Sequence, residues 1–119
     1  MAAIEAYQGR TMYISVSIVS NGEPYILKNG ETIRFGVKSL SDDYILSDDY
    51  IIFKKLTSAD EFEGKYPFII TAEDLELPTG RYKYDVSVEL SDGSCHVLKP
   101  TDNFILKRSI TFKGDDLNA

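Results

Sequence analysis

A chain of 119 residues with 43% hydrophobic and 27% charged content has the size and composition of one soluble domain with a core of its own; residues 1–119 are expected to form it. The net charge of −6, with no basic stripe, argues against nucleic acid and anionic membrane surfaces as partners. No apolar run reaches the ~18–20 residues of a membrane span, and Met1–Glu5 carries neither the basic nor the apolar region of a secretory signal.

Thr11–Val19 alternates strictly, with Met12, Ile14, Val16 and Ile18 on one side and Tyr13, Ser15 and Ser17 on the other. That is the period of a half-buried strand. Asn21-Gly22 marks a hairpin turn. Pro24–Leu27 reads as a short edge strand, since proline donates nothing to a ladder. Asn29-Gly30 turns the chain again, and Thr32–Lys38 alternates with Ile33, Phe35 and Val37 facing in. Gly36, on the outer face, leaves a gap that a neighbouring aromatic could cover.

The acidic loop Ser41–Asp49 repeats Ser-Asp-Asp-Tyr and leads into a strand over Tyr50–Leu56, where consecutive Ile51 and Ile52 leave the facing open. Tyr66–Thr71 gives another short strand, with Phe68 and Ile70 on one side. Thr71-Ala72-Glu73-Asp74 has capping-box spacing and predicts a helical turn near residues 72–75. Then comes the clearest strand of the chain: Tyr82, Tyr84, Val86, Val88 and Leu90 share one face, and charged or polar residues share the other. Asp92-Gly93 turns it into Cys95–Leu98. Pro100 is expected to interrupt that return strand before Phe104–Phe112. Residues 1–6 and 114–119 are expected to be flexible.

Seven or eight short strands joined by tight turns, with no helical crossovers, predict an all-β, antiparallel, two-layer sandwich of immunoglobulin-like type. The predicted core is Met12, Ile14, Val16, Ile33, Phe35, Val37, Tyr84, Val86 and Val88. A turn, a glycine and then Tyr82 at the head of the central strand fit a tyrosine corner, in which the hydroxyl of Tyr82 bonds to main chain between Glu73 and Leu77. The chain has no tryptophan and a single cysteine, Cys95, so no intrachain disulfide forms and an apolar core must take its place. Cys95 itself reads as a small apolar strand residue, compatible with a reducing compartment.

One ordered set of segments carries a resemblance: Tyr7–Thr11, Asn21–Tyr25, Ile33–Lys38, Thr71–Asp74, Leu77–Val86 and Asp92-Gly93. Together they resemble the small immunoglobulin-like domains of tailed-phage structural proteins, notably the N-terminal domain of phage baseplate upper proteins. The resemblance implies a virion or baseplate component, assembled in the bacterial cytoplasm, that binds other virion or tail proteins. Baseplate upper proteins carry long C-terminal extensions beyond this point, which leaves a free-standing domain as the expected form.

Chemistry-bearing patterns are sparse. His96 is the only histidine and adjoins Cys95 on a strand, so their side chains point to opposite faces and share neither a metal nor a catalytic pair. No Gly-x-Ser-x-Gly elbow or phosphate-cradling glycine loop is present. The reading is non-enzymatic, without cofactor. The acidic loop has four carboxylates that could ligate calcium, but their spacing matches no EF-hand loop. Asp42, Asp43, Tyr44, Asp48, Asp49, Tyr50 and Ile52 are the candidate interface, toward another virion protein or a second copy. Ile51, Ile52 and Phe53 in succession put at least one large apolar side chain on each face of the strand. The alternative is a carbohydrate- or ligand-binding sandwich, with Tyr44 and Tyr50 as its aromatics and calcium as a possible aid.

Overall fold

The computed structural model describes residues 3–39 and 50–108, with backbone only for Lys99 and Pro100. Among the described residues, nine strands carry the alternation into three dimensions: β1 (Ile4–Tyr7), β2 (Met12–Val16), β3 (Ile18–Ser20), β4 (Glu23–Tyr25), β5 (Thr32–Ser39), β6 (Ile52–Thr57), β7 (Tyr66–Ile70), β8 (Gly80–Glu89) and β9 (Cys95–Lys107). The one short helix among the described residues is a 3₁₀ turn at Ser58–Asp60.

Five strands form one sheet in the order β1-β9-β8-β5-β6, which curls into half a barrel. β2 pairs with β7, and β3 with β4, as separate antiparallel ribbons. The strand β5 lies between β6 and β8 with its register fixed on both sides: Phe35 stands opposite Lys54 and Val86, and Val37 opposite Ile52 and Tyr84. Side chains opposite one another share a face, so Ile33, Phe35, Val37, Ile52, Tyr84, Val86 and Val88 form one apolar surface. The fully buried Tyr66, Phe68 and Ile70 of β7 close over it. Phe35 is the hub. Its ring centroid lies 5.7 Å from Phe68, 5.6 Å from Tyr84 and 6.3 Å from Phe104.

Six of the nine predicted core residues are buried. Met12, Ile14 and Val16 are half-buried instead. They lie on a ribbon only two strands wide, so β2 is an edge and solvent reaches its flank. The predicted strand Thr11–Val19 also divides at Ser17, where β2 leaves its pairing with β7 and β3 begins its hairpin with β4. That hairpin is the one predicted from Asn21-Gly22. Both residues have positive φ, 53° and 80°, as the tight turn that suits strand twist requires. β4 ends at Tyr25, short of the predicted Leu27. Leu27 is buried instead, with its amide donating to the Tyr66 hydroxyl at 2.7 Å.

Three further expectations are corrected. The sheet is mixed: β1 runs parallel to β9, Ile4 opposite Phe104 and Tyr7 opposite Lys107. No local crossover is needed, because nearly the whole chain is the connection. For the same reason Ile4–Tyr7 is a paired strand with a buried Ala6, not a frayed end. Pro100 does not end the return strand. β9 continues through it, and the register against β8 shifts on either side of Val86, the bulge being where a sheet tolerates proline.

Candidate functional site

Asp42, Asp43, Tyr44, Asp48 and Asp49 lie outside the described residues. The two remaining candidates part company. Ile52 is only 2% exposed and packs inward opposite Val37, so it belongs to the core and not to an interface. The register that buries Ile52 turns Phe53 outward, opposite Gly36.

Phe53 is 47% exposed and Tyr50 42% exposed, and their ring centroids lie 5.0 Å apart. The Tyr50 ring lies across Gly36, so close that a methyl group there would come within 2.5 Å of a ring carbon. Glycine thus seats the aromatic on the sheet, as its sequence position suggested. The Ile51 amide bonds the Val37 carbonyl at 2.9 Å and fixes the strand entry. The ammonium of Lys38 stands 4.7 Å from the Tyr50 ring centre, within cation–π range.

Two shallow clefts flank this ring. One, about 130 Å³, is lined by Lys38, Lys83, Asp85 and Thr101 with Tyr50. The other, about 230 Å³, is lined by Arg34, Phe53, Asp85 and Ser87. Arg34 pairs with Glu89, and the Lys83 ammonium donates to Asn103 at 2.8 Å. Burial raises the Asp85 carboxyl above its ordinary value, against the opposing pull of Lys38. The outer face of β5, β6 and β8 therefore carries the cations Arg34, Lys38, Lys55 and Lys83 against the carboxylates Asp85 and Glu89. Among the described residues this aromatic face thus carries four cations against two carboxylates, on a chain whose net charge is −6.

A second exposed aromatic lies beyond the far end of β6. Thr57-Ser58-Ala59-Asp60 forms a capping box, with the Asp60 carboxylate accepting from the Thr57 amide at 2.8 Å and the Thr57 hydroxyl accepting from Ala59. The chain then turns through Glu63 and Gly64, φ 52° and 80°. Phe62 and Lys65 exchange both backbone hydrogen bonds, at 2.8 and 3.0 Å. The tip holds Phe62 68% exposed between Asp60, Glu61 and Glu63. Sequence reading passed over this knob, although Thr57–Asp60 repeats the Thr-x-x-Asp spacing of Thr71–Asp74 and Glu63-Gly64 follows three residues on.

Thr71–Asp74 itself caps as expected. Asp74 accepts from the Thr71 amide at 2.9 Å, and the Thr71 hydroxyl accepts from the Asp74 amide at 3.2 Å. The segment makes a hydrogen-bonded turn short of a helix. Asp74 also bonds the Lys54 ammonium at 2.7 Å, which ties the edge strand β6 to the turn. The corner residue Tyr82 is half-buried, and its hydroxyl donates to the Pro78 carbonyl at 2.5 Å. The acceptor lies one residue beyond the predicted Glu73–Leu77 stretch.

Cys95 and His96 lie exposed on β9, so Cys95 is no core residue. Ser94 Oγ is 3.1 Å from His96 Nε2, yet the same hydroxyl and the Ser94 amide both bond Asp92. Those bonds hold the Asp92 carboxyl below its ordinary value. The carboxylate caps a hairpin turn and does not orient the histidine, so the trio lacks the nucleophile–base–acid order of a hydrolytic site. Among the described residues no group of three or more His, Cys, Asp or Glu side chains is arranged to hold a metal, and no helix is long and apolar enough to cross a membrane. No protein-family model matches the chain, and no curated protein matches it.

Proposed function

We propose that this chain is a non-enzymatic structural module of a tailed phage or prophage, of immunoglobulin-like sandwich type, that works through protein–protein contacts. The observation that carries the reading is the paired, half-exposed Tyr50 and Phe53 on the outer face of the five-stranded sheet, beside its terminal strand β6. Aromatic and arginine side chains on a rigid sheet are the composition of protein interfaces. The fold half of the reading is supported by the strand order, a β9-β8-β5-β6 sheet with a separate β2–β7 ribbon, and by the bond from the Tyr82 hydroxyl to Pro78 at the head of β8, both of which an immunoglobulin-like sandwich would have. The resemblance of the turn and corner segments supports the phage half.

The clefts beside Tyr50 weigh against the carbohydrate- or small-ligand reading. At about 130 and 230 Å³ they fall below the ~300–1,000 Å³ of ordinary ligand pockets. The test is light scattering of the purified domain with the tail proteins encoded beside its gene, for wild type and Phe53→Lys. A complex formed by the wild type and lost in the variant supports the module. Equal binding by both, or none by either, refutes this face as its contact surface.

A further inference from the structure

Of the exposed aromatic side chains, which also include Tyr7 and Tyr13, those at the two ends of β6 have surroundings of opposite charge among the described residues. Phe62 sits among Asp60, Glu61 and Glu63, with Lys65 across the turn, whereas Tyr50 and Phe53 sit among Arg34, Lys38, Lys55 and Lys83, with Asp85 and Glu89 on the same face. One is a knob and the other a face flanked by two clefts. They stand at opposite ends of β6: Phe53 is near its start, and Phe62 lies past the 3₁₀ turn that follows its end. The strand from Phe53 to Thr57 alone spans about 13 Å, so a chain cannot seat its own knob on its own face.

We propose that the Phe62 knob of one copy docks on the Tyr50–Phe53 face of a second copy, head to tail. This rests on the protein-contact reading of that face and names its partner. The charges select this pairing. Counted over the described residues, the knob has three carboxylates against Lys65 and the face four cations against Asp85 and Glu89, so knob against knob and face against face oppose like net charge, whereas knob on face brings unlike net charge together around aromatic contact. The edge of β6 reinforces the choice. Lys54 and Lys55 at its centre put like charge opposite like charge in a centred antiparallel pairing of two β6 strands, the device by which natural edges resist self-pairing. A head-to-tail contact uses two different patches, so it repeats into a ring or a filament and does not stop at a symmetric pair. One aromatic knob falls short of the ~800 Å² per partner of a standard interface, so the contact gains strength from repetition and from held neighbours.

The experiment is sedimentation velocity from micromolar to near-millimolar concentration, at low and high salt, on wild type, Phe62→Ser and Phe53→Ser. Both substituted side chains are exposed, and thermal unfolding confirms that each variant folds. The wild type is expected to gain mass with concentration and to lose it with salt, since exposed charges are screened. Each variant alone is expected to remain a single chain. The equimolar mixture is expected to form a two-chain complex and nothing larger, because one variant keeps its face and the other its knob. Gly36→Ala, which displaces the Tyr50 ring, should weaken association with Phe53 intact. A wild type that stays a single chain at every concentration overturns the proposal, as does a mixture no heavier than its components. If that single chain still binds tail proteins through Phe53, the module reading stands and only the head-to-tail contact falls.

Discussion

The five-stranded sheet has an aromatic cluster on each face, and the two differ in what covers them. On the inner face Phe35 meets Tyr84 and Phe104 of its own sheet and Phe68 of the opposing ribbon, all of them buried. On the outer face Tyr50 and Phe53 pack against each other, Tyr50 lies across Gly36 and beside the Lys38 ammonium, and both rings stay more than two-fifths exposed. Phe35 and Phe53 are neighbours by register, on adjacent strands one position apart, yet one is in a core and the other at a surface. Strand parity alone decides which. A one-residue slip of β6 would bury Phe53 and Lys55 and expose Ile52. Lys54 also points inward, but it lies at the sheet edge, where its ammonium reaches Asp74.

Truncating each phenylalanine is the sharpest way to break that contrast. Phe35→Ala should cost about 3–5 kcal/mol, the loss of a large core side chain plus the cavity it leaves. Phe53→Ala should stay within about 0.5 kcal/mol of wild type, as surface substitutions do. Chemical denaturation of both variants checks the pair, and comparable losses would mean that the outer cluster is structural.

The corner residue gives a smaller effect. Tyr82→Phe removes the bond to Pro78 from a half-buried site, and a cost of about 0.5–1.5 kcal/mol is expected by the same denaturation measurement. A change much larger than that would mean that the corner governs the layer crossing as a whole.

The subtlest difference is in pH dependence. Glu31 is the buried carboxylate beneath the β3–β4 hairpin. It accepts from the Lys28 amide at 2.8 Å, the Tyr25 hydroxyl at 2.7 Å and the Ser91 amide at 3.1 Å. These bonds, the Lys28 amide first and Tyr25 next, outweigh burial and hold its pKa below the ordinary 4.5. A carboxylate whose pKa is lowered by folding binds its proton more readily in the unfolded chain. Its contribution is therefore complete above 4.5 and is lost as pH falls through the lower folded value. Glu31→Gln should lower the melting temperature most at neutral pH, and the gap to wild type should narrow below about pH 4.5. A gap constant across that range would exclude the carboxylate charge as the cause.

Period-two alternation made the central sheet legible, since Ile33, Phe35, Val37, Tyr84, Val86 and Val88 obey it without exception. Dipeptide chemistry made the turns at Asn21-Gly22 and Asp92-Gly93 legible for a similar local reason. The facing of Ile51, Ile52 and Phe53 was not, because three consecutive apolar residues fit either parity and only pairing with β5 chooses between them. Proline misled at Pro100: its missing donor is a local fact, whereas the bulge that accommodates it belongs to two strands at once. The Phe62 knob was readable from Thr57–Asp60 and Glu63-Gly64, but an isolated aromatic among acids shows no periodicity to draw attention to it.

The parallel pairing of β1 with β9 makes a demand on folding in time. Ile4–Tyr7 finds its strand partner only in residues 104–107, a separation of about a hundred residues, and such distant pairings are slow to form. During synthesis the first strand waits, unpaired, until nearly the entire described chain has emerged, while the β5–β8 pair can already associate. Closure of the sheet at β1 is thus a late event. Deleting residues 1–7 should leave the inner aromatic cluster able to assemble while exposing the edge of β9, a strand running from Cys95 to Lys107, to pairing with other chains.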